Sequence, residues 1–174
     1  IAVAGDLRNS CWQLLASWAG EEYASKLDAK QVKHITEDVE LGITVGGGEH
    51  SYGENILLAG QPGSLYRSWV AALQEIVSGC NGICDEVGTS KIGSAHTGED
   101  ISYIESPYSQ MSIHDFHHNI ISVENVYYGG IKGNRGASIH NYMAKHNKEM
   151  DMKVTAAITK AQTAINSMKA PFVL

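Results

Sequence analysis

Seven apolar residues in the middle of the chain, Leu65, Trp69, Ala72, Ile76, Cys80, Ile83 and Val87, follow one another at steps of 4, 3, 4, 4, 3 and 4. That spacing keeps every one of these side chains on one side of an α-helix and does not suit a strand, whose faces alternate. It predicts a helix of about six turns, capped by Ser64 and packed against two or more neighbours. Gly79 and Gly82 lie inside it. Each weakens a helix by about 1 kcal/mol relative to Ala, and the pair reads as a close approach of another helix.

The same period recurs along the chain. Val3, Leu7, Cys11, Leu14 and Trp18 form a first stripe, which Gly20 ends. Asp28 with Gln31 reads as a capping box, ahead of Val32, Ile35 and Val39 and a stop at Gly42. Ser112 with Asp115 gives S-x-x-D, a helix start. Ile113, Phe116, Ile120, Val123 and Tyr127 make the stripe behind it, up to Gly129 and Gly130. A short helix is predicted over Ser138–Lys145, and Val154, Ile158, Ala161, Ile165 and Met168 define a last one, stopped by Pro171. Loops are expected at 44–63, which is glycine-rich, and at 88–108. Alternating strand patterns are nearly absent, and no repeat or low-complexity tract stands out. The reading is an all-α fold, an up-and-down helical bundle, with residues 1–174 forming a single helical lobe.

A net charge of −6 with only 13 Lys and Arg argues against a nucleic-acid binder, which needs a basic face. No run of about 18 apolar residues is present, so no transmembrane helix is expected. The chain opens at Ile1, without a basic region followed by an apolar stretch. The expectation is a mature or truncated product with an upstream part missing. The cysteines are Cys11, Cys80 and Cys84, an odd number that excludes full pairing. Cys80 and Cys84, four apart on one helical face, read either as a metal or redox pair or as small buried apolar residues, the second being the ordinary role of free Cys.

Glu105 to Gly130, ESPYSQMSIHDFHHNIISVENVYYGG, resembles the late signature of the imelysin family, roughly E-S-x-Y-S, S-x-x-D and N-I-x-S-x-x-N-V-Y-x-G. The matching positions are Glu105, Ser106, Tyr108, Ser109, Ser112, Asp115, Asn119, Ile120, Ser122, Asn125, Val126, Tyr127 and Gly129. AVAGDLRNSCWQLLASWAG is similar to a family helix that ends in Trp, and AQTAINSMKAPF to the family's final helix. GENILLAGQPGS and CDEVGTSKIG look like Bacteroidetes-type variants. The resemblance covers essentially the whole chain and implies the C-terminal half of an imelysin-like protein. It implies one lobe of a two-lobed helical protein, secreted to the periplasm or held at the envelope as a lipoprotein by an upstream lipid anchor. Family members are linked with iron uptake, and some carry a peptidase label. Their G-x-H-x-x-E motif belongs to the N-terminal lobe and does not occur here. His50 and Glu54 have the longer spacing H-x-x-x-E.

Asp115, Asn119 and Ser122 fall at i, i+4 and i+7, on one helical face beside the apolar stripe. One reading makes them a polar seam lining a cleft against the absent N-terminal lobe, with Asp115 as an oxygen ligand for a metal. Glu105, Tyr108, Ser112 and Asn125 join this cleft wall by the resemblance. The structural reading has Asp115 cap its own helix through Ser112, with Asn119 tying down a loop. His114, His117 and His118 crowd the same turn, yet only His114 and His118 share a face. A two-histidine zinc or nickel site and plain solvent exposure both stay open there. The loop Gly46–Glu54 presents Glu49, His50 and Glu54, donor types that suit iron or zinc; a surface loop with incidental charges is the alternative. His50, Glu54 and Asp115 are the metal candidates.

A zinc hydrolase needs three protein ligands, an open position and a base. Neither a helical His-Glu-x-x-His nor a G-x-S-x-G elbow is present. This chain alone is therefore expected to be inactive as a peptidase. The expectation is an envelope-protein lobe that binds a metal or small ligand in iron acquisition. The alternatives are part of a metal-dependent peptidase whose ligands lie in the N-terminal lobe, and a purely structural lobe. A lobe parted from its partner is also expected to self-associate.

Overall fold

The computed structural model describes residues 2–24, 28–33, 44–100, 102 and 104–172. Regular structure among them is helical throughout, an all-α bundle. The elements are α1 (Ala2–Ala24), α2 (Ala29–Lys33), α3 (Tyr52–Leu57), α4 (Trp69–Asp85), a π-helical segment (Glu86–Ser94), α5 (Ala95–Thr97), α6 (Ser112–Tyr127), α7 (Ile139–His146) and α8 (Lys148–Asn166). Two compact units divide the chain, Ile1–Glu75 and Ile76–Leu174, with the boundary inside α4.

In the first unit α1 packs on α3. The helix kinks at Gly20 (φ 66°), where the stripe was expected to end. Contact is close enough that a Cβ on Gly53 would stand 2.3 Å from the carbonyl oxygen of Trp18. Ser51 Oγ donates to that same carbonyl at 3.3 Å, and the Trp18 and Tyr52 rings stack with centroids 5.6 Å apart. The contact buries Ala16 and Ser17. It does not bury the predicted stripe: Val3, Leu7, Leu14 and Trp18 are between 50% and 82% exposed, and Cys11 is exposed too. Periodicity names an apolar face without naming its partner.

The Asp28–Gln31 capping box forms as expected, with two reciprocal bonds of 2.9 Å. Ile35, Val39 and Gly42 lie outside the described residues, as does the side chain of Val32. Ser64 does not cap α4; Ser68 does, accepting from the Ala71 N–H at 3.1 Å. Ser64 instead donates to the Asn55 carbonyl at 2.7 Å.

The second unit has the chain's main apolar core. Phe116, Ile120 and Tyr127 of α6 meet Ile158 and Ile165 of α8 and Val87 of the π-helical segment. Ile113, Val154, Ala161 and Met168 pack around them, so the α6 and α8 stripes bury as their spacing predicts. Phe116 is wholly buried and meets Phe172 edge-on, centroids 5.1 Å apart. Burial of one such ring stabilises by about 1.5–3 kcal/mol. Gly129 (φ 74°) turns the chain after α6 at a point where a Cβ would lie 2.2 Å from the Ala137 carbonyl oxygen. Ser138 and Asn147 then cap α7 and α8. The loop expected from residue 88 is helical as far as Thr97, because the π-helical segment carries α4 onward through Gly88 and Gly93.

Candidate functional site

The chain entering α6 is pinned from two sides. Ser112 Oγ donates to the Glu105 carbonyl, and Ser106 Oγ donates to Asp115 Oδ2. The S-x-x-D pair therefore marks the helix start without forming a capping box; the N-cap residue is Met111, with no side-chain cap. Both polar groups hold the preceding loop instead.

This pinning turns Glu105 toward Lys91, whose side chain is only 15% exposed. Lys91 Nζ lies 3.0 Å from Glu105 Oε2 and 3.9 Å from Glu86 Oε1, and donates to Asn119 Oδ1 at 3.2 Å. Oε2 of Glu105 is buried and gains the ion pair without a well-directed hydrogen bond. Asn119 Nδ2 donates to the Asp115 carbonyl at 3.0 Å, and Ser122 Oγ to the Asn119 carbonyl at 2.6 Å. Glu105, Asp115, His118, Asn119 and Ser122 line an open depression of about 320 Å³. Beside it, sharing Glu105, a second depression of about 340 Å³ is lined by Glu86, Lys91, Ser102 and Ile104.

Four of the seven residues read as a cleft wall thus share one surface: Glu105, Asp115, Asn119 and Ser122. Tyr108 is fully exposed, and Ser112 is buried under the loop that it ties. Asn125 is half-buried, and its carbonyl accepts the Gly130 N–H at 2.7 Å where α6 ends. Lys91 escaped sequence reading because it falls where a loop was expected, and Glu86 because it sits off the apolar stripe of the expected helix, so nothing placed them against α6.

The metal candidates behave differently. Glu54 closes a capping box with Ser51, accepting the Ser51 N–H at 2.7 Å while Ser51 Oγ accepts from the Glu54 N–H at 3.2 Å. The bond from the Ser51 backbone holds its carboxyl below the usual value. The His50 carbonyl accepts from Val45 N–H and Asn55 Nδ2, both at 3.0 Å, so the loop is ordered by its own backbone. His50 and Glu54 belong to the first unit and Asp115 to the second. Among the described residues no three His, Cys, Asp or Glu side chains gather where a metal ion fits. Bare H-x-x-E spacing occurs at His34–Glu37, outside the described residues, and at His96–Glu99, where both side chains are exposed. Cys84 is exposed like Cys11, and Cys80 is half-buried. Burial pushes the thiols of Cys80 and Cys84 up, so neither has the character of a nucleophile.

One polar network went unread in the sequence. Asp151 is buried, and its Oδ1 accepts from Tyr127 OH at 2.9 Å and from His140 Nδ1 at 2.7 Å. It joins α6, α7 and α8. Tyr127 sits in the apolar stripe of α6, which hides its hydroxyl from a reading of periodicity alone.

A family model described as Imelysin matches residues 1–173. Among solved structures, the chain is similar to an imelysin peptidase from Bacteroides ovatus, at 34% identity and a TM-score of 0.63. The match covers 94% of this chain and 46% of that one, so the chain spans less than half the length of its relative. No curated protein matches it.

Proposed function

The chain belongs to the imelysin family, and from that premise we propose that it is the binding lobe of an extracytoplasmic imelysin protein serving iron acquisition. In this reading the α6 depression forms one wall of a cleft, and an N-terminal lobe, with its G-x-H-x-x-E motif, forms the other. Envelope location, through secretion or an upstream lipid anchor, is part of the same proposal.

One observation carries it: α6 buries its apolar stripe while Asp115, Asn119 and Ser122 on its other side, with Glu105 from the loop before it, line one open depression. These are oxygen donors of the kind that hold a hard cation or a polar ligand. The fit for a metal within this chain is partial. Lys91 already neutralises Glu105, and Ser106 already engages one oxygen of Asp115. A cation bound here takes most of its ligands from outside the described residues, with Asp115 as the contribution of this wall. A bound iron or zinc ion supplies Lewis-acid chemistry. The residues of this chain orient and bind.

The test is metal content by elemental analysis after equilibration with iron, on the protein carrying its N-terminal lobe and on its Asp115→Ala variant. Metal retained by the unmodified protein and lost in the variant is expected. Equal retention in both removes Asp115 from the site and overturns this reading of the wall.

The peptidase name carried by the Bacteroides ovatus protein favours a second reading, part of a metal-dependent peptidase whose ligands lie mainly in the N-terminal lobe. Peptide hydrolysis by the protein carrying its N-terminal lobe that a chelator abolishes would establish it in place of the first.

A further inference from the structure

The geometry points to a two-histidine site for a late first-row transition cation on the outer face of α6, formed by His114 and His118. The two residues are one helical turn apart, where side chains at i and i+4 lie side by side. Their ring centroids are 4.1 Å apart, with the planes tilted by 59°. Two imidazole nitrogens that share an ion at about 2.0–2.1 Å each stand at most about 4 Å from one another. Rings this close side by side reach a common ion by side-chain rotation alone, without movement of the helix backbone.

The tautomer of one neutral ring is set by its surroundings. Nδ1 of His118 faces the His114 carbonyl at 3.0 Å. A carbonyl can only accept, so Nδ1 carries the proton, and Nε2 of the neutral ring keeps its lone pair for a metal. A backbone carbonyl on the far nitrogen is the usual support of a ligating histidine. Both rings are accessible, as a surface ligand requires. Asp115 Oδ1, 4.0 Å from His114 Nδ1, adds negative charge beside the pair. His117 is set apart from His118 by register: neighbouring residues leave the helix in different directions, and the two rings meet edge-on with centroids 6.0 Å apart.

Two imidazoles select borderline ions such as Ni²⁺, Cu²⁺ and Zn²⁺ over Mg²⁺ or Ca²⁺, with water completing the coordination. His118 also lines the α6 depression, so the pair borders the proposed cleft wall without using Glu105, Asn119 or Ser122. It requires only the helical register of α6, and Asp115→Ala leaves both imidazoles in place.

Ni²⁺ titrated calorimetrically into the full chain tests the assignment, beside His114→Ala, His118→Ala, His117→Ala and Asp115→Ala. Expected is one Ni²⁺ site whose affinity falls by about tenfold or more when either His114 or His118 is removed and holds in His117→Ala. All the altered side chains lie on the accessible side of α6, and Ala favours a helix, so helical content by circular dichroism should be retained. Unchanged affinity in both His114→Ala and His118→Ala overturns the site, as does an equal loss in His117→Ala. A second readout uses amide resonances broadened by substoichiometric Ni²⁺. Broadening centred on the first two turns of α6 supports the pair, and broadening centred elsewhere overturns it. Loss of iron retention in Asp115→Ala, with Ni²⁺ broadening still centred on the first two turns of α6, separates this site from the cleft wall.

Discussion

The hydroxyl of Tyr127 donates to Oδ1 of Asp151 at 2.9 Å, and both residues are buried. A carboxylate removed from water persists only where donors replace the lost hydration. Here the second donor is His140. Burial pushes the Asp151 carboxyl up, but the bonds from Tyr127 and His140 and the charge of His140 outweigh it and hold the group below its ordinary 3.8. Glu54 and Glu124 are likewise held below 4.5, the first by the Ser51 backbone and the second chiefly by Gln162 and Arg135.

Stability therefore falls in acid. A carboxylate with a lowered folded pKa binds fewer protons folded than unfolded, so the stability it adds is fully present above the ordinary value. That stability is lost as the pH drops through the folded pKa. The urea midpoint should be flat above about 5 and decline as the pH falls below the ordinary values of 3.8 and 4.5. In Asp151→Ala the midpoint should be lower at neutral pH and its acid decline shallower. An unchanged acid slope would remove Asp151 from the linkage.

Tyr127 gives the alkaline counterpart. Burial, then the bond to Asp151 and its charge, push the phenol up from 10 to about 12. The folded state holds this proton more tightly, so its contribution is present below 10 and is lost between 10 and 12. An ultraviolet phenolate titration should show a laggard component that ionises only as the pH rises toward about 12. Tyr127→Phe should remove the laggard.

How far the sequence reaches is visible in α6. Its five-residue apolar stripe packs as the spacing requires, because one face of that helix has neighbours in α8 and the π-helical segment. The polar face was legible for the same reason, and Asp115, Asn119 and Ser122 do share a surface. Lys91 was not legible, since its contact with Glu105 joins positions far apart in sequence and no local pattern encodes that. The α1 stripe shows the converse: its apolar face was read correctly and its burial was not, because burial depends on what stands opposite.

Asn55 should be the most sensitive position of the first unit. Its amide donates to the carbonyls of His50 and Ser51 at 3.0 and 2.8 Å and accepts from the Leu65 N–H at 2.8 Å. Asn55→Ala strips buried backbone groups of their partners and should cost about 1–3 kcal/mol, more than a surface change. Chemical denaturation measures it. A loss within the range of surface substitutions would mean that water replaces the amide.

Lys91 joins the π-helical segment to both Glu105 and Asn119. Lys91→Met keeps the length of the stem but leaves the half-buried Glu105 carboxylate without its cation. The loop before α6 should open more often, with faster amide exchange and proteolysis around residues 104–111 and a loss of about 1–2 kcal/mol. Exchange as slow as in the unmodified chain would show that the two serine ties suffice alone.

Val3, Leu7, Leu14 and Trp18 leave a continuous apolar line exposed along α1. Single exposed apolar residues are ordinary, but a line of large ones on one helix face carries an unmet burial free energy of about 25 cal/mol per Å². The chain in isolation should therefore self-associate as its concentration rises, visible as growing mass by light scattering, and should bind a dye that reports exposed apolar surface. Leu7→Glu with Leu14→Glu places charge on the line and touches no buried residue, so it should restore a monomer at unchanged helical content. A chain that is monodisperse and dye-silent without substitution would mean that the line is covered in solution, with α1 then packed differently. Self-association that survives the double substitution would move the adhesive surface elsewhere, to the exposed Trp69, Val70 and Leu73 of α4.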